Sequence, residues 1–172
     1  ISEVSSTDAF TRIATIAIEQ DVDAVIHTGD IVDHEVDQET LDSAASRLEL
    51  LSKVGIPVYC IIGSHDRTSY APQHENSVNG IAWLQQQVRK GTLVELSTSP
   101  TPVAGGPLDA YGISAGNTGI DDVAKFDPLG WEASDMVFGS SSPWPNVLCL
   151  HDGVTPYRSR STADVDVDQL LT

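Results

Sequence analysis

The stretch Val25-Ile-His-Thr-Gly-Asp30 decides the fold: a short apolar run that stops abruptly at polar residues. Two further stretches share its form, Val58-Tyr-Cys-Ile-Ile-Gly-Ser-His-Asp66 and Val147-Leu-Cys-Leu-His-Asp152. Short apolar runs bounded by polar punctuation read as strands of a parallel sheet buried on both faces. Open α/β sheets carry their chemistry just beyond the carboxyl ends of such strands. Asp30, His65 and His151 lie far apart in the chain but are therefore expected to converge in one crevice. Carboxylates and imidazoles gathered in this way are the ligands of a divalent metal ion.

Outward from these runs, helix and strand alternate. The pattern predicts a helix from a cap at Thr7 to Gln20, with Phe10, Ile13, Ala14 and Ala17 on one face. A strand at 23–27 and a polar loop follow. A second helix over 38–54 has Leu41, Ala44, Ala45, Leu48 and Leu51 as its stripe, and Gly55 and Pro57 end it. Next come a strand at 57–62, a His-rich loop and a helix near Val78–Arg89. Thr92–Leu96 and Leu108–Ile113 are broken by Pro and Gly-Gly-Pro, which suggests antiparallel β structure. Residues 115–145 carry no clear pattern, and 140–145 read as loop. A strand is expected at 146–150, and a helix is expected to begin within Val165–Leu171. With no internal repeat or linker, the 172 residues read as a single domain, long enough for a sizeable core.

The formal net charge is -16 and the pI about 4.3. Asp far outnumbers Glu, and Lys occurs only at Lys53, Lys90 and Lys125. Dense short carboxylates with little Lys suit a halophile, since molar salt screens their repulsion over only ~3 Å. Cys60 and Cys149 each fall inside an expected buried strand and read as small core residues. The longest apolar run, Ile56 to Ile62, is far short of a membrane span. With no signal peptide either, the expected location is the cytoplasm. The chain opens on Ile1 rather than Met, as expected of a sequence whose start lies upstream.

Taken together, these residues resemble the calcineurin-like metallophosphoesterases. That family has the order Asp-x-Val-x-x-x-Gly-Asp, then Pro-Val-x-x-x-x-Gly-Asn-His-Asp, then a strand ending in His. Asp21-Val-Asp-Ala-Val-Ile-His-Thr-Gly-Asp30, Pro57 to Asp66 and His151 follow it at similar spacing. His-Thr-Gly-Asp30 and Leu-His-Asp-Gly153 look closest to the SbcD-type branch, the nuclease subunit of double-strand-break repair. The resemblance spans roughly residues 8–153 and is carried by the combination of motifs. It implies a layered α/β/β/α fold, a two-sheet core flanked by helices on both sides.

The same resemblance implies metal-dependent phosphodiester hydrolysis. Asp30 would bridge two divalent ions, His151 would hold one, and Ser64 stands where the family has a metal-binding Asn. His65 is implied as the catalytic imidazole, with Asp66 orienting the loop or the ring. Oxygen and imidazole ligands without thiolate favour Mn²⁺, with Zn²⁺, Fe or Mg²⁺ as substitutes. The implied substrate is DNA or a smaller phosphodiester, and the implied partners are an SMC-like ATPase and a second copy of the chain. Two departures stand against the family pattern: Glu3-Val-Ser5 follows Ile1-Ser2 where Asp-x-His is usual, and no Gly-His-x-His closes the chain. These departures are read as truncation, missing residues or degeneracy, so a degenerate, non-catalytic scaffold is one alternative. Another is a serine esterase, because Gly112-Ile-Ser-Ala-Gly116 matches the Gly-x-Ser-x-Gly nucleophile elbow around Ser114. Plainer readings also exist. Asp30 would end a Gly-Asp turn, and His65 with Asp66 would be a loop hydrogen-bond pair. His151 would be a satisfied strand-end residue, His27 structural, and His74 solvated. Asp33 is expected to hold the turn after Asp30.

Overall fold

The computed structural model describes residues 6–33, 36–66, 80–115, 146–151, 154–155 and 165–166. Helix α1 spans Ser6–Glu19, strand β1 Val25–His27, helix α2 Gln38–Lys53, strand β2 Val58–Cys60, helix α3 Gly80–Lys90 and strand β3 Val94–Glu95. Strand β4 is Thr101–Pro102, followed by a 3₁₀ turn at Val103–Gly105. Strand β5 is Asp109–Ile113 and β6 Asn146–Leu150, and the short strands β7 and β8 are Val154–Thr155 and Val165–Asp166.

β1, β2 and β3 form one parallel sheet in that order, with Val25 opposite Val58 and Tyr59 opposite Val94. β4, β5 and β6 form a second, mixed sheet: β4 runs antiparallel to β5, and β5 parallel to β6. Side chains alternate across the first sheet, as the pleat demands. Val25, Val58 and Cys60 face the helices, packing with Ala14, Ala17, Leu41, Leu48, Leu51, Trp83 and Leu84. Ile26, Tyr59, Ile61 and Val94 face the second sheet, packing with Ala110, Val147 and Cys149. Both faces of β1 and β2 are thus covered, which is why their runs are apolar without alternation. Each fully buried leucine in these cores contributes roughly 1.5–3 kcal/mol relative to exposure. The result is a layered α/β arrangement of helices, parallel sheet and mixed sheet. The expectation of helices beyond the mixed sheet falls on residues outside those described.

Local sequence explains the helix boundaries. Asp37 caps α2 by accepting the Thr40 N–H at 2.7 Å. At the other end, Gly55 N–H donates to Ser52 O and Ile56 N–H to Leu51 O, so Gly55 and Ile56 close the helix. The Tyr59 hydroxyl ties the two sheets, donating to Pro102 O at 3.1 Å and accepting the Ala104 N–H at 2.8 Å.

Four expectations are corrected. Ile13 does not lie on the buried face of α1. It is 46 % exposed, while Ala14 and Ala17 make the contact. Ile13 instead borders a cavity together with Phe10 and Ala44. α1 begins at Ser6, one residue before the expected cap. Thr92–Leu96 is not antiparallel: β3 runs parallel to β2, reached by a crossover through α3. Residues 165–166 pair with 154–155 as strand rather than opening a helix; residues 167–171 lie outside the described set, as do 34, 74 and 115's successors to 145.

Candidate metal centre

Three loops meet at the carboxyl ends of β1, β2 and β6. The β1 loop carries Thr28, Gly29 and Asp30, the β2 loop carries Gly63 to Asp66, and β6 leads directly into His151. The two sheets therefore bring carboxylate and imidazole side chains to one place, as the strand-end pattern predicts.

Asp30 is the hub. Its backbone is left-handed, with φ 56°, a conformation that Asp tolerates better than most residues. Its Oδ1 accepts the His65 N–H at 2.9 Å. Its Oδ2 lies 3.2 Å from His151 Nε2. The other nitrogen of that ring, Nδ1, is 2.8 Å from Thr28 O. A carbonyl only accepts, so Nδ1 carries the proton. In the neutral ring, Nε2 then presents its lone pair to the Asp30 carboxylate. Two electron-rich atoms at that separation repel unless a cation, a proton or a metal ion, lies between or beside them.

Two glycines allow the loops to close. A Cβ on Gly29, at φ 94°, would stand 2.6 Å from His151 Nδ1 and 2.9 Å from the Gly63 α-carbon. A Cβ on Gly63 would run into the Asp30 carboxylate and backbone nitrogen. Neither position has room for a side chain, so the Gly in each motif is a steric requirement of the site.

Asp66 is 2 % exposed. Its Oδ2 accepts the N–H groups of Asp30 (2.9 Å) and Gly63 (2.8 Å), and its Oδ1 accepts that of Val32 (2.9 Å). It holds the loops, while the His65 ring is held by Asp33, whose Oδ1 is 2.9 Å from His65 Nδ1. That contact holds His65 above the ordinary imidazole range, mainly through the hydrogen bond, with Asp30, Asp33 and Asp66 adding charge. Ser64 is exposed on the loop between Gly63 and His65. His27 points to the helix side of the sheet, where it borders a cavity of about 460 Å³ also lined by Phe10, Asp30, Asp33, Arg47 and Trp83. Its Nδ1 is buried with no hydrogen-bond partner among the described residues. Burial pushes its pKa down, partly opposed by Asp66 and Asp30, which keeps the ring neutral.

The structure thus brings Asp30, His65, Asp66 and His151 together, with Ser64 on the same loop. The Asp33–His65 pair was not legible as a contact, because 32 residues separate the partners; the only signal was two polar residues on loops after neighbouring strands. Among the described residues, no group of three or more His, Cys, Asp or Glu is arranged to hold a metal ion. The two donors that do converge, a carboxylate oxygen and an imidazole nitrogen with its lone pair exposed, fit a divalent cation whose remaining ligands come from elsewhere. The thiols do not compete, since Cys60 and Cys149 are buried in the two apolar cores.

Gly116, the last residue of the Gly-x-Ser-x-Gly motif, lies outside the described residues, and Ser114 itself is buried. Its buried hydroxyl accepts the Ile62 N–H at 2.9 Å, which ties β5's end to the β2 loop. A Cβ on Gly112 would stand 2.5 Å from both Ile61 and Leu96, so this glycine serves the close approach of the two sheets.

Comparison with known proteins follows the same lines. The chain is 32% identical over 166 residues to the DNA double-strand break repair protein Mre11 of Sulfurisphaera tokodaii, covering 92% of this chain and 38% of that protein. It is 33% identical over 99 residues to Mre11 of Haloferax volcanii, covering 57% of this chain and 20% of the relative. Mre11 of Methanosarcina acetivorans is 28% identical over 184 residues, covering 99% of this chain and 25% of that protein. The chain therefore spans less than two fifths of the length of these curated relatives. With the calcineurin-like phosphoesterase pattern matched over residues 4–171, the chain belongs to the calcineurin-like phosphoesterase family.

Proposed function

We propose that this chain hydrolyses phosphodiester bonds with divalent metal ions held at Asp30 and His151, and that its substrate is DNA. The observation that carries the reading is His151 Nε2 at 3.2 Å from Asp30 Oδ2, with Nδ1 committed to Thr28 O. Bound divalent ions would neutralise the phosphodiester anion and make water a competent nucleophile at neutral pH. Asp30 supplies the anionic ligand, fixed by His65 N–H on one oxygen. His151 supplies the neutral one, its ring orientation set by the Thr28 carbonyl. Ser64 adds a hydroxyl on the same loop. His65, about half exposed, would protonate the leaving alkoxide, and its hydrogen bond to Asp33 raises the affinity of the ring for that proton. Mn²⁺ is the metal this oxygen and imidazole set favours, with Zn²⁺, Fe or Mg²⁺ as substitutes.

DNA as substrate is supported by the names of the relatives, all DNA double-strand break repair proteins. The net charge of -16 does not oppose it, since metal ions supply local positive charge at the site. The SMC-like ATPase and the second copy implied by the resemblance belong to the same reading. So does the cytoplasmic location expected from the sequence; no helix among the described residues is long and apolar enough to cross a membrane.

The test is Mn²⁺ content of the purified chain, dialysed in molar KCl and measured by elemental analysis, beside His151→Ala. The expected result is about two ions per chain, reduced in the variant, with Mn²⁺-dependent cleavage of DNA. A chain that takes up no metal is a non-catalytic scaffold.

A further inference from the structure

Asp66 follows His65 in the chain, and their adjacency suggests a shared chemical role. The geometry separates them. His65 is exposed on the loop surface, whereas Asp66 is turned inward and nearly inaccessible. Both of its oxygens are committed to backbone donors: one to Asp30 and Gly63, the other to Val32. These three amides belong to two different loops, one after β1 and one after β2. Asp30 is one of three non-glycine residues with positive φ among the described residues, and its amide is one of the three that Asp66 holds. Val32 is buried against the helix-side core. The carboxylate therefore pins the strained turn from both sides of Asp30, at residue 30 and at residue 32, and ties it to Gly63. Gly63 is the residue whose missing side chain gives the Asp30 carboxylate its room.

We propose that Asp66 is the positioning residue for Asp30: it sets the backbone of the β1 loop so that the Asp30 carboxylate points at His151. This rests on the reading of Asp30 and His151 as metal ligands. Asp66 touches neither metal nor substrate; both its oxygens are already occupied by N–H donors. A neutral amide of the same shape cannot replace it. Asn offers one oxygen and one NH₂, so at least one of the three backbone N–H groups would face another donor. The turn would then relax, and Asp30 would leave the His151 nitrogen although its own side chain is unchanged.

Three measurements on the full chain in molar KCl test this. The first is Mn²⁺ affinity of Asp66→Asn by titration calorimetry, expected to be weaker by about tenfold or more. The second is the same titration on Leu48→Ala, a buried α2 residue that is not a hydrogen-bond partner of Asp66, at a temperature where both variants have lost the same stability margin. It is expected to keep wild-type affinity, which separates positioning from general destabilisation. The third needs no variant: in the wild-type protein, amides of Asp30, Val32 and Gly63 are expected to exchange with solvent together, as a single protected unit. Equal Mn²⁺ affinity in Asp66→Asn and wild type would overturn the proposal, and so would independent, unprotected exchange of the Asp30 and Gly63 amides. Absence of Mn²⁺ binding by the wild-type chain would instead sink the metal reading, and the exchange measurement would still decide whether Asp66 pins the turn.

Discussion

Gly63 and Asp30 are packed so closely that a methyl group at position 63 would overlap the Asp30 carboxylate and its backbone nitrogen. The β1 and β2 loops can meet only because that methyl group is absent.

Gly63→Ala is therefore expected to push Asp30 away from His151. Overpacking of this kind costs about 1–3 kcal/mol of stability. Displacing a ligand by ~1 Å lowers turnover by roughly a hundredfold. Thermal unfolding and Mn²⁺-dependent hydrolysis of a phosphodiester, measured on the same preparation, check both effects. Retention of full activity in Gly63→Ala would mean that the loops have slack the structure does not show.

His65 is expected to titrate above the ordinary imidazole value of ~6.5, because Asp33 accepts its ring N–H. Asp33→Asn removes the charge and lowers the midpoint, which NMR of the His65 ring protons reads directly. If His65 is the proton donor, the alkaline limb of the activity profile moves to lower pH by the same amount. The stability sign follows from the direction of the shift. The folded pKa lies above the unfolded one, so the Asp33 contact contributes fully below the unfolded pKa. Its contribution fades as pH rises through the folded pKa.

The strand ends were legible because burial on both faces leaves a distinctive trace: Val25 and Ile26, then Val58, Tyr59, Cys60 and Ile61, are apolar in succession, and the structure places them alternately in two cores. Direction was less legible. β3 is two residues long, too short to carry a signal, and its parallel sense comes from the crossover through α3. Ile13 misled because hydrophobicity permits burial without requiring it. For Asp66 the sequence left two roles open, orienting the loop or the ring; neighbours in sequence point to different surroundings, so His65 and Asp66 divide between the loop surface and the backbone beneath it. The Asp33 and Thr28 contacts are products of loop closure, and no spacing within one segment encodes them.

Ser64 stands on the β2 loop where the family pattern has Asn. A Ser hydroxyl reaches less far than an Asn amide and is a weaker oxygen donor, so as a ligand it would be the looser of the two. Ser64→Asn is expected to tighten Mn²⁺ binding by about tenfold, or ~1.4 kcal/mol. Calorimetric titration of the two proteins side by side measures the change. Unaltered affinity would place residue 64 outside the coordination sphere.

The two thiols are expected to be inert in the folded protein. Burial pushes Cys60 up to about 12 and raises Cys149 as well, with Glu95 and Asp66 adding to the effect at Cys60. The thiolate is the reactive form, and for Cys60 at pH 8 it is about one part in ten thousand. A disulfide reagent such as Ellman's should therefore release almost nothing from the native chain and two equivalents once denaturant exposes both cysteines. Because Cys60 packs on the helix side of β2 and Cys149 between the sheets, the two report on different layers. One equivalent released rapidly under native conditions, assigned by mass spectrometry, would identify the layer that opens first.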